Sequence, residues 1–141
     1  MVYLSKKNNM EKHRENKEFV IRYINAISGV LKTRELMEEY IADEELIGHI
    51  AFFDTVFPKY EMFMDEITAE GNRVVVRARA KGVHEGEFNG IQPTHRNVEF
   101  PFVVSYEIEN GKIVHHWLIA DQVAVMEQLG VMKGPESHKP V

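Results

Sequence analysis

Asp121 is the side chain of this sequence best placed for acid–base chemistry. It ends a strand pattern whose predicted pocket face carries Phe100, Phe102 and Trp117. A carboxylate at the end of an aromatic face is partly desolvated, which raises its pKa toward that of a useful general base. The same residue directly precedes a helical pattern that starts at Gln122, where an Asp acts as an N-cap by accepting backbone N–H hydrogen bonds. The sequence is compatible with both roles.

Two histidines are predicted to share the pocket face with Asp121. They are His84 and His115. These three residues could ligate zinc or iron if they converged, because two imidazoles and a carboxylate form an acceptable ligand set. We expect no metal and no cofactor. His116 must point away from His115, since neighbours in a strand face opposite sides, and we expect it at the surface or in an interface.

Aromatic side chains are predicted to line the pocket and to hold a flat apolar ligand. The candidate substrate-binding residues come from the strands, from the third helix and from the loop at the pocket mouth: Phe100, Phe102, Tyr106, Trp117, Phe53 and His95.

The first half of the chain carries three helical patterns. Apolar residues recur at three- and four-residue steps between Glu15 and Leu31, which predicts an amphipathic helix. Thr33 and Asp43 are predicted N-caps of two shorter helices, and the second of these stops at Pro58.

The second half of the chain changes to extended patterns. Strands are predicted over 60–68, 73–84, 98–109 and 112–120, separated by turn residues. The sequence therefore predicts an α+β domain in which N-terminal helices pack on a curved antiparallel sheet and form a cone. Small residues on the core face, Ala78, Ala80 and Gly82, leave room for a central pocket. The glycine-rich loop that follows Gly82 is predicted to form the rim of this pocket, where it could act as a lid.

The Asn110-Gly111 pair predicts a two-residue turn that places Glu109 opposite Lys112. Counting back from this pair assigns the two faces of the sheet. The pocket side receives Tyr106 opposite His115, Val104 opposite Trp117, Phe102 opposite Ile119 and Phe100 opposite Asp121. The outer side receives Ser105 opposite His116, Val103 opposite Leu118 and Pro101 opposite Ala120. The apolar centre of the outer side predicts a homodimer through Val103, Leu118 and Ala120.

Composition limits the classes of partner. The chain has 141 residues, 44% hydrophobic and 28% charged, which fits one domain over 15–132 with flexible ends at 1–14 and 133–141. The 17 basic and 22 acidic residues give 17 − 22 = −5, so we expect no nucleic-acid and no membrane partner. There is no cysteine, which fits a cytoplasmic location and excludes disulfides and thiolate chemistry.

Several motifs of the chain are similar to those of the SnoaL-like polyketide cyclases, a branch of the nuclear transport factor two-like superfamily with its cystatin-like α+β cone. The similarity is carried by Phe57-Pro58, the run 82–91 followed by Pro93-Thr94, the run 111–114 followed by His116-Trp117, and Asp121 with Gln128-Leu129-Gly130. His95 stands where the family usually has glycine after Pro-Thr, which places a bulkier polar group near the pocket mouth.

This resemblance implies a reaction. Members with known activity close a ring by intramolecular aldol condensation on an aromatic polyketide ester, with an acidic residue as general acid and base and with no cofactor. Asp121 falls at that acidic position, and the resemblance implies that His84 and His115 could donate hydrogen bonds to the enolate oxygen. The alternative that the sequence leaves open is a non-catalytic module of the same fold, which binds a small apolar ligand or another protein.

Overall fold

The structure is a computed structural model that describes residues 8–132. Three helices come first, α1 (Asn9–Ile27), α2 (Arg34–Glu38) and α3 (Glu44–Val56). Four strands follow, β1 (Glu61–Glu70), β2 (Arg73–Val83), β3 (Asn97–Glu109) and β4 (Lys112–Ala120), and then α4 (Gln122–Leu129). Each strand pairs antiparallel with the next, in a curved sheet of order β1-β2-β3-β4 that does not close. The predicted α+β class is confirmed.

Helix α1 begins earlier than its apolar pattern suggests. Asn8 caps it by accepting a hydrogen bond from the Glu11 N–H at 2.8 Å. Residues 9–14, which the sequence assigned to a flexible N-terminus, are therefore helical. The other residues of the expected flexible ends, 1–7 and 133–141, lie outside the described residues.

The two predicted caps of the shorter helices are confirmed. The Thr33 hydroxyl accepts from the Leu36 N–H at 3.1 Å and starts α2. The Asp43 carboxylate accepts from the N–H groups of Glu45 and Leu46 at 3.0 and 3.2 Å and starts α3. These bonds satisfy N–H groups that the first turn of a helix leaves without a partner.

Strand β2 divides its side chains between two environments, as alternation predicts. Its apolar set faces the helices and is buried: Val74, Val76, Ala78 and Ala80. Its arginines face outward and pair with carboxylates of the neighbouring strands: Arg77 with Glu66 at 3.0 Å, and Arg79 with Asp65 at 3.0 Å and Glu99 at 2.9 Å. The outer side of this strand is therefore a solvated row of ion pairs.

The predicted register of β3 and β4 is wrong beyond its first pairs. Glu109 pairs with Lys112 as expected, and Ile108 pairs with Ile113, but Glu107 then pairs with His115. Val114 is the extra residue of a β-bulge, and one extra residue moves every later side chain of β4 to the opposite face.

The residue before the bulge, Ile113, forms backbone hydrogen bonds with the segment between α2 and α3. The Ile113 N–H donates to the Tyr40 carbonyl at 2.8 Å, and the Ile113 carbonyl accepts from Ala42 at 2.8 Å. The segment between α2 and α3 thus holds Ile113 against the helices, and the strand resumes its pairing with β3 only after one residue has been left out.

No helix among residues 8–132 combines the length and the apolar character needed to cross a bilayer.

Candidate functional site

A cavity lies between α1, α3 and the inner face of the sheet. Its volume is about 70 Å³, which is small compared with the roughly 300–1,000 Å³ of typical ligand sites. Apolar side chains make most of its wall, among them Ile27, Leu46, Ile50, Met62 and Leu118. The cavity therefore suits a small apolar molecule.

Four of the six predicted substrate-binding residues line this cavity. Phe53 reaches it from α3, and Phe100, Phe102 and Tyr106 reach it from β3. The sequence placed these four correctly because the pattern of α3 and the alternation of β3 contain no irregularity. Their role in binding stays a prediction.

Three tyrosines line the cavity beside the polar residues His49 and Lys81. Tyr23, Tyr60 and Tyr106 all line the cavity, and the rings of Tyr23 and Tyr106 meet edge to face with centroids 5.6 Å apart. Burial raises the pKa of each phenol above its ordinary value near 10. The three hydroxyls are therefore neutral at physiological pH, and the Tyr23 hydroxyl hydrogen-bonds to that of Tyr106.

A buried ion pair lies against one of these tyrosines. The Lys32 ammonium donates to the carbonyls of Val30 and Tyr60 at 3.0 and 2.9 Å, and it lies 3.9 Å from the centroid of the Tyr60 ring. Asp54 lies 3.7 Å from the same ammonium and accepts from the backbone N–H groups of Lys32 and Lys59. Burial lowers the pKa of Lys32 to about 8, against the opposing effect of the Asp54 carboxylate.

Strand β4 presents other side chains to the cavity than the sequence predicted. His115 and Trp117 lie on the outer face, and the Trp117 side chain is 59% exposed. Leu118 and Ala120, which the sequence placed on the outer face, line the cavity instead. The bulge at Val114 accounts for each of these corrections.

Asp121 lies outside the cavity wall. Its carboxylate accepts a hydrogen bond from the Ala124 N–H at 2.9 Å and caps α4, and the residue is exposed. The predicted cap is confirmed, while the desolvated aromatic environment expected for this carboxylate is not present. Its acid–base role stays a prediction.

His84 is fully buried but does not line the cavity. Its Nδ1 accepts from the Thr94 N–H at 3.1 Å and lies 3.0 Å from the Thr94 hydroxyl. Its Nε2 is buried without a hydrogen-bond partner, and its ring packs against Phe57 with centroids 5.9 Å apart. His84 therefore fixes the start of the loop over 84–96.

His95 lies on the loop over 84–96. It is exposed, with a left-handed backbone at φ 59°, and it does not line the cavity.

The three residues considered as metal ligands do not form a metal site. Within residues 8–132, no group of three or more His, Asp or Glu side chains is arranged to hold a metal ion, so His84, His115 and Asp121 do not converge.

The bulge brings together a pair of polar residues that the sequence did not connect. His116 faces inward, and its Nδ1 lies 2.7 Å from the second carboxylate oxygen of Asp43. Both side chains are largely buried, with 7% and 12% of their surface exposed. The ring of His49, which lines the cavity, lies edge to face with the ring of His116, with centroids 6.2 Å apart.

Asp43 is held as an anion by this arrangement. Burial alone would raise its pKa, but the hydrogen bonds from His116 and from the N–H groups of Leu46 and Glu45 lower the pKa below its ordinary value. The expectation that His116 is a surface or interface residue was wrong. The sequence predicted Asp43 as the cap of α3, but it did not connect Asp43 with His116.

Solved structures with the same fold come from several bacteria. A protein of Jannaschia sp. CCS1 assigned as a SnoaL-like polyketide cyclase has a TM-score of 0.74 at 23% identity, over 91% of this chain and 100% of that one. Wild-type IdmH from Streptomyces antibioticus has a TM-score of 0.69 at 26% identity, over 82% and 99%. AclR from Streptomyces galilaeus has a TM-score of 0.74 at 21% identity, over 89% and 87%.

No curated protein sequence matches the chain. The family model for the SnoaL-like polyketide cyclases matches residues 31–129, a range that runs from within the α1–α2 connection to the last residue of α4. The chain therefore belongs to the SnoaL-like polyketide cyclase family.

Proposed function

We propose that this protein binds a small apolar or aromatic carbonyl compound in its cavity and catalyses an intramolecular aldol cyclisation or isomerisation by general acid–base catalysis, without a cofactor. The observation that carries the proposal is the composition of the cavity wall, which is apolar except for a few polar groups. Three of these groups are neutral phenols, on Tyr23, Tyr60 and Tyr106.

The phenols supply what an enolising carbonyl compound needs. A carbonyl oxygen accepts a hydrogen bond, and it accepts a stronger one as it becomes an enolate oxygen. A donor fixed in an apolar wall therefore stabilises the enolate more than the ketone, which lowers the barrier to proton removal. Aromatic side chains such as Phe53 and Phe100 would hold the flat part of the molecule.

The size of the cavity bears on the size of the substrate. A volume of about 70 Å³ is about half that of an engineered cavity of roughly 150 Å³ that holds benzene. A compound of one or two rings therefore fits only if side chains of the wall move, and a polycyclic compound requires a larger movement. The bicyclic ketone 2-tetralone is a suitable probe, because it combines an aromatic ring with an enolisable ketone.

Blocking the cavity tests the proposal. Ala120 lines the cavity opposite Phe102, so Ala120→Phe should fill the space that the ligand needs. We expect the Kd for 2-tetralone to rise at least tenfold, about 1.4 kcal/mol. The measurement is an NMR titration that follows the methyl groups of Met62 and Leu118, both of which line the cavity.

The matched control is Ala51→Phe, which introduces the same side chain at an exposed position of α3 outside the cavity wall. It should leave the Kd unchanged. An absence of methyl shifts in the unmodified protein, or an equal loss of affinity in both variants, would contradict the proposed site.

We also propose a homodimer, through a corrected set of residues. The bulge places Trp117 and Ile119 on the outer face of the sheet, where they are 59% and 57% exposed beside the half-buried Val103. Large apolar side chains exposed side by side on one sheet face support an interface with a second copy. Leu118 and Ala120, which the sequence placed in this interface, line the cavity and are not part of the proposed interface.

Trp117→Lys should weaken the dimer at least tenfold, because aromatic residues at the centre of an interface carry much of its binding energy. Sedimentation velocity over about 1–100 µM measures the effect. Leu31→Lys is the matched control, since Leu31 is 58% exposed and lies in the connection between α1 and α2, not on the sheet. A monomeric mass for the unmodified protein at tens of micromolar would refute the dimer.

A further inference from the structure

The cavity wall includes a side chain that can accept a proton, the imidazole of His49. Apart from the three tyrosines, the described residues of the wall offer His49 on α3 and Lys81 on β2 as ionisable groups, and no carboxylate. Burial raises the pKa of each phenol, so the tyrosines keep their protons at neutral pH. Lys81 belongs to the exposed outward row of β2, and an ammonium group has no lone pair. A neutral imidazole, in contrast, has one nitrogen that accepts.

The ring of His49 has defined neighbours. It lies against Phe53, one turn later on α3, with ring centroids 5.6 Å apart, and edge to face with His116 of β4 at 6.2 Å. His116 is itself fixed, because its Nδ1 lies 2.7 Å from the Asp43 carboxylate. These contacts restrict the orientations of the His49 ring, and a group that is already oriented loses less freedom when a substrate binds.

The same contacts bring His49 to the part of the wall that carries a pair of tyrosines. Tyr106 is the direct partner of His116 across β3 and β4, so the ring that contacts His49 lies beside Tyr106. The Tyr106 hydroxyl hydrogen-bonds to that of Tyr23. Because His49 and both tyrosines line the cavity, one ligand can reach the imidazole and a phenol together.

His49 also remains open to solvent. The residue is exposed although it lines the cavity, so it lies where the cavity meets the surrounding water. Its contacts within residues 8–132 are the two ring contacts, and neither ring nitrogen is engaged in a hydrogen bond there. A proton taken up by this imidazole can therefore exchange with water, which a fully enclosed base would not allow.

We infer that His49 is the general base of this cavity. The inference rests on the proposed function, because a base is needed only if a carbonyl compound is enolised here. It assigns the proton transfer to a residue of α3 that lines the cavity, whereas Asp121 lies outside the cavity wall.

The reaction step balances without a further reactant. His49 takes the proton from a carbon next to a carbonyl group, and the electron pair of the broken C–H bond forms the enolate. The Tyr106 hydroxyl donates a hydrogen bond to the enolate oxygen. The enolate carbon then attacks a second carbonyl group of the same molecule, and the new alkoxide takes the proton back from the imidazolium of His49.

Two substitutions remove the base, His49→Ala and His49→Gln. The experiment measures replacement of the C1 protons of 2-tetralone by deuterium in D₂O, followed by ¹H NMR, beside its Kd from the methyl titration. We expect the unmodified protein to accelerate the exchange, and both variants to lose at least about 100-fold in rate with the Kd nearly unchanged.

The matched control is His13→Ala. It removes an imidazole from α1 that accepts a hydrogen bond from the Gly71 N–H at 2.8 Å and lies outside the cavity wall. This variant should retain the full rate of exchange. An equal loss in His13→Ala and His49→Ala would contradict the assignment.

Added imidazole gives a readout that a purely structural role would not move. His49→Ala leaves space for a free imidazole at the solvent end of the cavity, whereas the longer side chain of His49→Gln occupies this space. We expect imidazole to raise the rate of His49→Ala at least about tenfold and that of His49→Gln much less. Absence of rescue in His49→Ala would show that His49 shapes the cavity without taking the proton, and would overturn the inference.

The remaining outcomes distinguish the inference from the function beneath it. If 2-tetralone binds and exchanges but both His49 variants keep the rate, the base is not His49, and the proposed function stands. If Asp121→Asn abolishes exchange while both variants retain it, the base is Asp121. If 2-tetralone binds without exchange, no base acts in the cavity and the inference fails. If it does not bind, the proposed function fails and the assignment of the base fails with it.

Discussion

Asp54→Ala is expected to lower the free energy of unfolding by roughly 3–5 kcal/mol, the usual cost of removing one partner of a buried ion pair. The Asp54 carboxylate faces the Lys32 ammonium and also accepts the backbone N–H groups of Lys32 and Lys59 at 3.0 and 2.9 Å. Alanine would leave a buried ammonium without its counter-ion and two N–H groups without an acceptor. Urea denaturation followed by circular dichroism measures the loss.

The matched control is Asp65→Ala, on the outer side of the sheet. Asp65 forms an exposed ion pair with Arg79 at 3.0 Å, and such pairs contribute about 0–1 kcal/mol. A loss below about 1 kcal/mol for Asp54→Ala, or equal losses for the two variants, would show that the buried pair does not stabilise the fold.

The pH dependence of this prediction follows from the lowered pKa of Lys32. Its folded-state pKa of about 8 lies below the ordinary value of 10.5, so the unfolded chain binds more protons between these values and the contribution of this group to stability rises with pH. Removing Asp54 removes the effect that raises this pKa and lowers it further. The loss from Asp54→Ala should therefore be larger at pH 6 than at pH 9.

The helices and three of the strands follow from local patterns of the sequence. Thr33 and Asp43 cap helices where the sequence places them, because a cap bond joins residues two or three apart. The Asn110-Gly111 turn fixes the pair Glu109 and Lys112, since it depends on backbone preferences of the turn itself. The sequence therefore predicts correctly the caps and the turn, because they are formed by residues close together in the chain.

The face of β4 could not be predicted in this way. Its register depends on hydrogen bonds between Ile113 and residues 40–43, about seventy positions earlier in the chain. Nothing in the pattern of β4 marks Val114 as the residue left out of the pairing. Because a one-residue shift exchanges the two faces, this one contact decided which residues of the strand reach the cavity.

Residues of the candidate site were predicted correctly where the register of the helix or strand that carries them was predicted correctly. Phe53 and Tyr106 were placed correctly because they lie on α3 and β3. The bulge turns His115 and Trp117 outward, and Leu118 of the same strand lines the cavity instead. A carboxylate was expected at the site from the end of β4. The structure instead shows a largely buried carboxylate at the cap of α3, where Asp43 is hydrogen-bonded to His116.

Gly86→Ala is expected to destabilise the protein by about 3 kcal/mol, at the upper end of the cost of overpacking. A methyl group at this position would overlap the Thr55 carbonyl oxygen and lie 2.8 Å from the carbonyl carbon. These are backbone atoms of the last turn of α3, so no side chain can rotate away. The N–H groups of Glu85 and Gly86 both donate to the Val56 carbonyl, and the clash would break these bonds.

The loss should be concentrated in the loop over 84–96, because that loop is held to α3 at this point. Phe88 of the loop packs on Phe53, with ring centroids 6.2 Å apart, and Phe53 lines the cavity. Hydrogen exchange should therefore increase at Phe88 and Ile91, and the affinity for 2-tetralone should change with it. Gly48→Ala is the matched control, since no atom lies within 4 Å of the added methyl group and alanine favours a helix by up to about 1 kcal/mol. Equal thermal stability of the two variants would mean that the loop is free of α3 and does not shape the cavity.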